Sequence, residues 1–556
     1  MEPSLEGPPG VAEVLAAARK LEQPAFITVL DDAWFARATI GDGVLSGRTF
    51  AVKDNIDVAG VPTTAAYPAR AEPAAESAVA VRLLMAAGAA PIGKTNMDQF
   101  ATGLVGTRTP YGACHSVASE LHVSGGSSSG SAVAVAEGVV DFALGTDTAG
   151  SGRVPAAFNG IVGVKPSRGL VSNRGLLPAS PSLDCISVFA RTVGVAAAVA
   201  EVLISPDSAD PHSRTMPPLP PIGVARRMRV VGVPDGVLDL DDEARAPWEQ
   251  ALRHASTVAR LVPVDVSHLL EAARMLYSGP FVAERLASFG DVLQSDDPQL
   301  DATVRSIVLG ASQVTAAEVF AGLTRLSGLR AATRRTFEAI DALLLPVAPG
   351  HPTLAEVAAD PIGVNARLGT YTNMVNLLDL CAVAVPAGER ADGLPFGVQL
   401  LAPAFADRGL LGLAARWCGE PDPPPQLGTR SLLAVAGAHL SGQPRNVDLL
   451  ELGGRLHSRV RTAPGHRMYL VPGPFPRPGV VPGTGESSID MELWDLPLGA
   501  IDQLRPTIAA PLTLGPVRLD DGSATLGFIV DGAAAAKGWP DITDHGSWRS
   551  YLNDQA

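Results

Sequence analysis

Ser124-Gly125-Gly126-Ser127-Ser128-Ser129-Gly130-Ser131 opens a stretch that continues with small apolar residues over 131–142. It closes with Gly145-Thr146-Asp147-Thr148-Ala149-Gly150-Ser151-Gly152-Arg153-Val154-Pro155. Two Gly/Ser loops thus flank a segment made almost entirely of Ala, Val and Gly. Glycine lets backbone come close to other backbone or to a ligand. A serine hydroxyl becomes a nucleophile once a neighbouring base takes its proton. Two such loops joined by a small-residue helix predict an active site on a tightly packed support. The ordinary reading of the same residues is a pair of Gly/Ser turns, which are common.

Upstream, Thr49-Phe50-Ala51-Val52 reads as a buried strand that delivers Lys53, with Asp54-Asn55 after it. A lysine usually ends solvated at a strand end. Here the apolar run before it and the polar pair after it suit a lysine carried into a site. Residues 77–87 predict an apolar helix, followed by Gly88-Ala89-Ala90-Pro91-Ile92-Gly93-Lys94-Thr95. That string fits a phosphate-loop pattern, but such a loop must follow a strand and open a helix. A helix precedes Gly88 and residues 90–93 read as a strand, so a nucleotide site is rejected. Downstream, residues 160–166 read as another buried strand, with Lys165 structural. Residues 206–221 read as a surface loop, 229–233 and 342–346 as strands, and 241–261 and 314–340 as helices. Strands alternating with helices indicate an α/β class.

Composition narrows the function classes. The 556 residues suffice for two or more domains. Lys and Arg number 43 against 57 Asp and Glu, a formal net charge of −14, and phosphate binding needs the opposite balance. No nucleic-acid partner is expected. The N-terminus has no basic region with an apolar core, and no apolar run reaches the ~18 residues of a membrane span. Cys114, Cys185, Cys381 and Cys418 form no Cys-x-x-Cys, which suits a reducing compartment. The expectation is a soluble, cytoplasmic protein with no membrane partner.

The quoted loops resemble the signature of the amidase signature family, Gly-Gly-Ser-Ser followed by Gly-Thr-Asp-Thr-x-Gly-Ser. The resemblance extends from about Phe50 to Gly409. It implies a mixed central sheet covered by helices on both faces, and amide hydrolysis by a Ser–cis-Ser–Lys triad. On this sequence the nucleophile falls on Ser151, the bridging serine on Ser127 and the base on Lys53. The oxyanion hole falls on the backbone N–H groups of Thr148, Ala149, Gly150 and Ser151. Small residues there let backbone approach the developing charge. The relay requires neutral Lys53, so desolvation must lower a reference pKa of ~10.4. No cofactor and no metal are implied.

Within that family, three stretches are similar to allophanate hydrolases. They are Thr148-Ala149-Gly150-Ser151-Gly152-Arg153, Leu276-Tyr277-Ser278-Gly279-Pro280-Phe281-Val282-Ala283-Glu284-Arg285, and Gly369-Thr370-Tyr371-Thr372-Asn373-Met374-Val375-Asn376-Leu377-Leu378-Asp379. The resemblance places the substrate carboxylate on Tyr277 and Arg285, with Gly126 a further substrate-binding position. The planar guanidinium fork suits a carboxylate, although an unplaced arginine more often makes a surface salt bridge. The implied reaction is hydrolysis of allophanate (urea-1-carboxylate) to ammonia and carbon dioxide, by way of N-carboxycarbamate. A homodimer is expected, with a urea carboxylase or biuret hydrolase supplying the small-molecule substrate. No lipoyl or biotin attachment pattern precedes the amidase part, which suggests the stand-alone form. Alternatives are another amidase, including a fatty-amide hydrolase or the part of an amidotransferase that works on charged tRNA, and a non-catalytic interaction protein.

Residues 1–420 are assigned to the amidase signature domain, 421–429 to a Pro-rich linker and 430–556 to a smaller α+β domain. In the last, strands are predicted over 431–438, 454–462, 468–471, 489–496 and 525–530. Ala436-Gly437-Ala438-His439-Leu440-Ser441-Gly442 looks like the strand-to-loop element of γ-glutamyl-cyclotransferase-like folds, with His439 the candidate polar residue. Those enzymes carry a glutamate in Leu-Asp-x-x-Glu. Ile501-Asp502-Gln503-Leu504-Arg505 has none, which argues against cyclotransfer. The resemblance associates this domain with the first product; a structural or dimer-forming role is the alternative.

Overall fold

The computed structural model describes residues 10–215, 228–421, 430–452, 454–473, 476–483, 485–497, 500–530 and 538–555. They form two compact units, one on each side of Pro423. The predicted linker lies outside the described residues except for Pro421. Part of the predicted 206–221 loop, from 216 onward, lies outside them as well.

The first unit is built on an eleven-stranded mixed sheet. Its strand order is Phe26–Val29, Ala90–Thr95, Thr49–Lys53, Phe142–Asp147, Cys185–Ala190, Val162–Lys165, Leu380–Glu389, Pro395–Pro403, Ala342–Pro346, Val230–Pro234 and Arg260–Val264. The inner strands read as unbroken apolar runs because helices cover both faces and leave neither side to water. Thr49–Lys53, Phe142–Asp147, Cys185–Ala190 and Ala342–Pro346 are buried at every position.

One pairing positions the chemistry. Thr49–Lys53 runs parallel to Phe142–Asp147, with Val52 opposite Leu144. That register brings Lys53 level with Gly145 and Thr146 at the carboxyl ends of the two strands. In open α/β sheets the crevice beyond those ends is where ligands bind. The segment between the two Gly/Ser loops is not all helix. Helix Ser129–Ala136 ends at Glu137, and the chain re-enters the sheet at Phe142. Ser129 to Val135 are all buried, so the small side chains permit close packing on the sheet. The phosphate-loop-like string runs through strand Ala90–Thr95, where Lys94 Nζ pairs with the buried Asp54 carboxylate at 3.2 Å.

The predicted 241–261 helix is shorter, Asp242–Val258. The chain then turns into strand Arg260–Val264, parallel to Val230–Pro234 at the sheet edge. Among the described residues, no single helix is long and apolar enough to cross a membrane.

The second unit holds a five-stranded sheet, ordered Arg455–Arg461, Asp490–Pro497, Arg430–Val435, Ala524–Val530 and Leu512–Arg518. A separate hairpin pairs His466–Val471 with Arg477–Pro482. Strands Arg477–Pro482 and Leu512–Arg518 are absent from the sequence-based assignment because prolines break their pattern. Both lie at a free sheet edge, the positions where a residue without N–H is tolerated.

Candidate active site

Lys53 ends its strand fully buried. Its Nζ lies 2.7 Å from Ser127 Oγ and 2.7 Å from Thr146 Oγ1. The Gly126–Ser127 peptide bond is cis. Burial lowers the Lys53 pKa to about 7, against the opposing charges of Asp98, Asp184 and Asp147. A neutral amine has one lone pair and two N–H groups. It can accept from Ser127 Oγ while still donating to Thr146 Oγ1, as a proton relay requires.

Ser151 is 3% exposed, in the loop beyond strand Phe142–Asp147. Its Oγ donates to the Gly103 carbonyl at 3.4 Å, and no bond to Ser127 is present among the described residues. The structure therefore joins Lys53 to Ser127, and Ser151 must turn its hydroxyl to complete the relay. Catalytic hydrogen bonds commonly tighten only when substrate binds. The N–H groups of Thr148, Ala149, Gly150 and Ser151 find no acceptor among the described residues, which leaves them available to an oxyanion. Gly150 has φ +148°, and a Cβ there would run into the Thr372 side chain, so only glycine fits. The Gly126 N–H is taken by the Leu104 carbonyl at 2.9 Å. A Cβ at Gly126 would strike the Asp98 carboxylate.

The loop is held from below by a buried ion pair. Arg153 grips Asp147 with Nε at 2.9 Å and Nη2 at 3.0 Å, and its Nη1 reaches Gln399 Oε1 at 2.8 Å. Burial alone would raise the Asp147 pKa, but the Arg153 guanidinium outweighs it and holds it below the usual range. Asp147 Oδ2 also accepts from the Gly152 N–H at 3.1 Å. Arg153→Met should destabilise the unit by ~3–5 kcal/mol, because Asp147 is then a buried charge without a partner. Chemical denaturation of wild type and variant measures this; an unchanged midpoint would refute it.

Arg285 is fully buried on helix Ala283–Leu293. Its Nη1 donates to Ser180 Oγ at 3.1 Å and Nη2 to Tyr277 OH at 3.3 Å, while Nε has no partner. The guanidinium carbon lies 5.0 Å from the Tyr277 ring centroid. No carboxylate pairs with Arg285 among the described residues. Ser180 in turn joins Asp184, whose carboxylate accepts from the Thr148 hydroxyl. Arg285 is thus connected through three residues to the loop carrying Ser151.

Sequence reading missed Thr146, Ser180 and Asp184, which stand in no motif and meet the site only through the fold. It likewise missed Glu492. This glutamate, 2% exposed on strand Asp490–Pro497, accepts from Ser441 N at 2.7 Å and Ser441 Oγ at 2.9 Å. A buried glutamate therefore does meet the 436–442 element, from a strand other than the one searched. His439 is buried, stacked on Phe528 with ring centroids 4.9 Å apart, and its Nε2 lies 3.4 Å from Asp448 Oδ2. Burial, and then the Arg445 charge, lower its pKa. Lys165 bonds to the Pro166 carbonyl at 2.7 Å, away from the Lys53 pair.

Comparison with known proteins places these residues in a family. The amidase family model matches residues 21–411, and the model for the allophanate hydrolase C-terminal domain matches residues 431–553. The allophanate hydrolase of Kluyveromyces lactis, a solved structure, is 36% identical with a TM-score of 0.70, over 99% of this chain and 97% of that one. Urea amidolyase of Saccharomyces cerevisiae is 40% identical over 546 residues, 91% of this chain, and the match spans only 30% of that relative's length. One polypeptide of the glutamyl-tRNA(Gln) amidotransferase of Halobacterium salinarum is 36% identical over 69% of this chain and 98% of that protein. The chain belongs to the amidase family and carries, after its amidase domain, the C-terminal domain of allophanate hydrolases.

Proposed function

We propose that this amidohydrolase cleaves allophanate, with Ser151 as nucleophile, Ser127 as bridge and Lys53 as base. Ser151 Oγ attacks the terminal carbamoyl carbon while Ser127 takes its proton and passes its own to Lys53. The tetrahedral oxyanion sits on the N–H groups of residues 148–151. The relay then returns the proton to the leaving ammonia. Water deacylates the serine and releases N-carboxycarbamate, which loses carbon dioxide to give carbamate and finally ammonia.

The observation that carries the substrate assignment is the Arg285 guanidinium. It is buried, and its Nε lacks a partner. A buried cation needs an anion, and a substrate carboxylate supplies one. The C-terminal domain match supports the same reading over an amidotransferase role. Ammonia release from allophanate by the purified chain is the test; release from an uncharged amide but not from allophanate would overturn it.

Lys53 adds a pH signature. Below its pKa of about 7 the amine is protonated and cannot act as base. kcat/KM should therefore rise about tenfold per pH unit on the acid side and level off above it. A profile flat across neutrality would remove Lys53 from the base role.

A urea carboxylase or biuret hydrolase would supply this substrate. Spaced cysteines, three of them buried and all free, support action in the cytoplasm. A homodimer is supported by the exposed Phe320 and Leu323 on helix Ala316–Glu338. His439 and the C-terminal domain are read as handling the first product.

A further inference from the structure

Asp184 has no part in the mechanism above, yet it sits between its two halves. The residue is 4% exposed. Its Oδ1 accepts from the Thr148 hydroxyl, and its Oδ2 accepts from the N–H groups of Ala179 at 2.8 Å and Ser180 at 3.0 Å. All three donors are neutral. A buried carboxylate without a direct cationic partner is costly to keep, so stability alone is a poor reason for it. Arg285 has the complementary peculiarity, a buried guanidinium bonded only to the hydroxyls of Ser180 and Tyr277. Ser180 stands between the two charges. Its N–H faces Asp184 and its Oγ faces Arg285. The charges can balance across Ser180 without Asp184 occupying the guanidinium fork.

We propose that Asp184 is a positioning residue that couples the anion site to the oxyanion loop. Through Ser180 it offsets the Arg285 charge while leaving the fork open to a carboxylate. Through Thr148 it fixes the loop whose N–H groups receive the oxyanion. Seating the substrate anion and aligning the loop then draw on one buried carboxylate. The inference rests on the proposed function, and the test separates the two.

The test is steady-state ammonia release by the full chain from allophanate and from a small uncharged amide. Wild type is compared with Asp184→Asn, Thr148→Val, Thr148→Ser and the double variant Asp184→Asn/Thr148→Val. An asparagine can keep every hydrogen bond by facing its oxygen to Ala179 and Ser180 and its NH2 to Thr148, so only the charge is lost. We expect kcat to fall roughly 10- to 100-fold on both substrates, the scale of a misplaced catalytic group. KM should rise on allophanate alone, with the thermal midpoint held. The double variant should be no worse than Asp184→Asn, because both changes act through one path. Thr148→Ser should recover most of what Thr148→Val loses. Single losses that multiply in the double variant would overturn the proposal, as would a lower midpoint with kcat unchanged. Should Asp184→Asn not fold, the Thr148 pair decides: equal losses for Val and Ser refute the role of the hydroxyl. A wild-type enzyme active on the uncharged amide but not on allophanate refutes the substrate reading. Asp184 is then judged on kcat for the uncharged amide.

Discussion

Ser151→Ala should fold like wild type and release ammonia from allophanate on the order of 10⁴- to 10⁶-fold more slowly, the scale seen when a serine nucleophile is removed. The change deletes one oxygen, whose hydrogen bond in this structure is the long one to Gly103. The contacts that hold the loop, Arg153 on Asp147 and Gly152 N on Asp147, do not involve it. Stability should therefore be unaffected, and the residual rate should come from the oxyanion hole and binding. The measurement is ammonia release with substrate in excess, alongside thermal unfolding. Activity near the wild-type level would move the nucleophile to Ser127, the serine that touches Lys53 directly.

Arg285→Ala should lower kcat/KM for allophanate by ~2–5 kcal/mol, roughly 30- to 5000-fold, because the substrate carboxylate then enters the site unpaired. The loss on a small uncharged amide should be much smaller. Arg285→Lys should rescue in part, since an ammonium keeps the charge but loses the fork that meets a carboxylate in two places. The ratio of kcat/KM for the two substrates in each variant is the readout. Equal losses on both would mean that Arg285 supports the Tyr277 and Ser180 contacts and no carboxylate.

Parts of the site are legible in the chain because backbone chemistry leaves few choices. The apolar run before Lys53 can only be a buried strand, and a lysine at its end is then carried inside. The two Gly/Ser loops announce themselves because each needs residues without bulk, as Gly150 shows against Thr372. Strand Arg477–Pro482 was illegible for the opposite reason: prolines mask a strand whose outer edge needs no N–H. Asp184, in Pro181-Ser182-Leu183-Asp184-Cys185, has no neighbour in sequence that marks it. Its partner Thr148 lies 36 residues away, Thr146 lies 93 from Lys53, and Ser180 lies 105 from Arg285.

The sequence by itself determined the α/β class, the two Gly/Ser loops and the residue types of the triad. These follow from local rules, namely apolar runs, small residues at close approaches and motifs read in one stretch. Only the tertiary structure decided which groups share the site. Parallel pairing of Thr49–Lys53 with Phe142–Asp147 sets Lys53 beside Thr146. Helix Ala283–Leu293 brings Arg285 to Ser180, and so into the network that ends at Thr148. The physical reason is that burial and charge compensation are properties of the assembled core: a lysine loses its charge near neutral pH only where sheet and loops together exclude water.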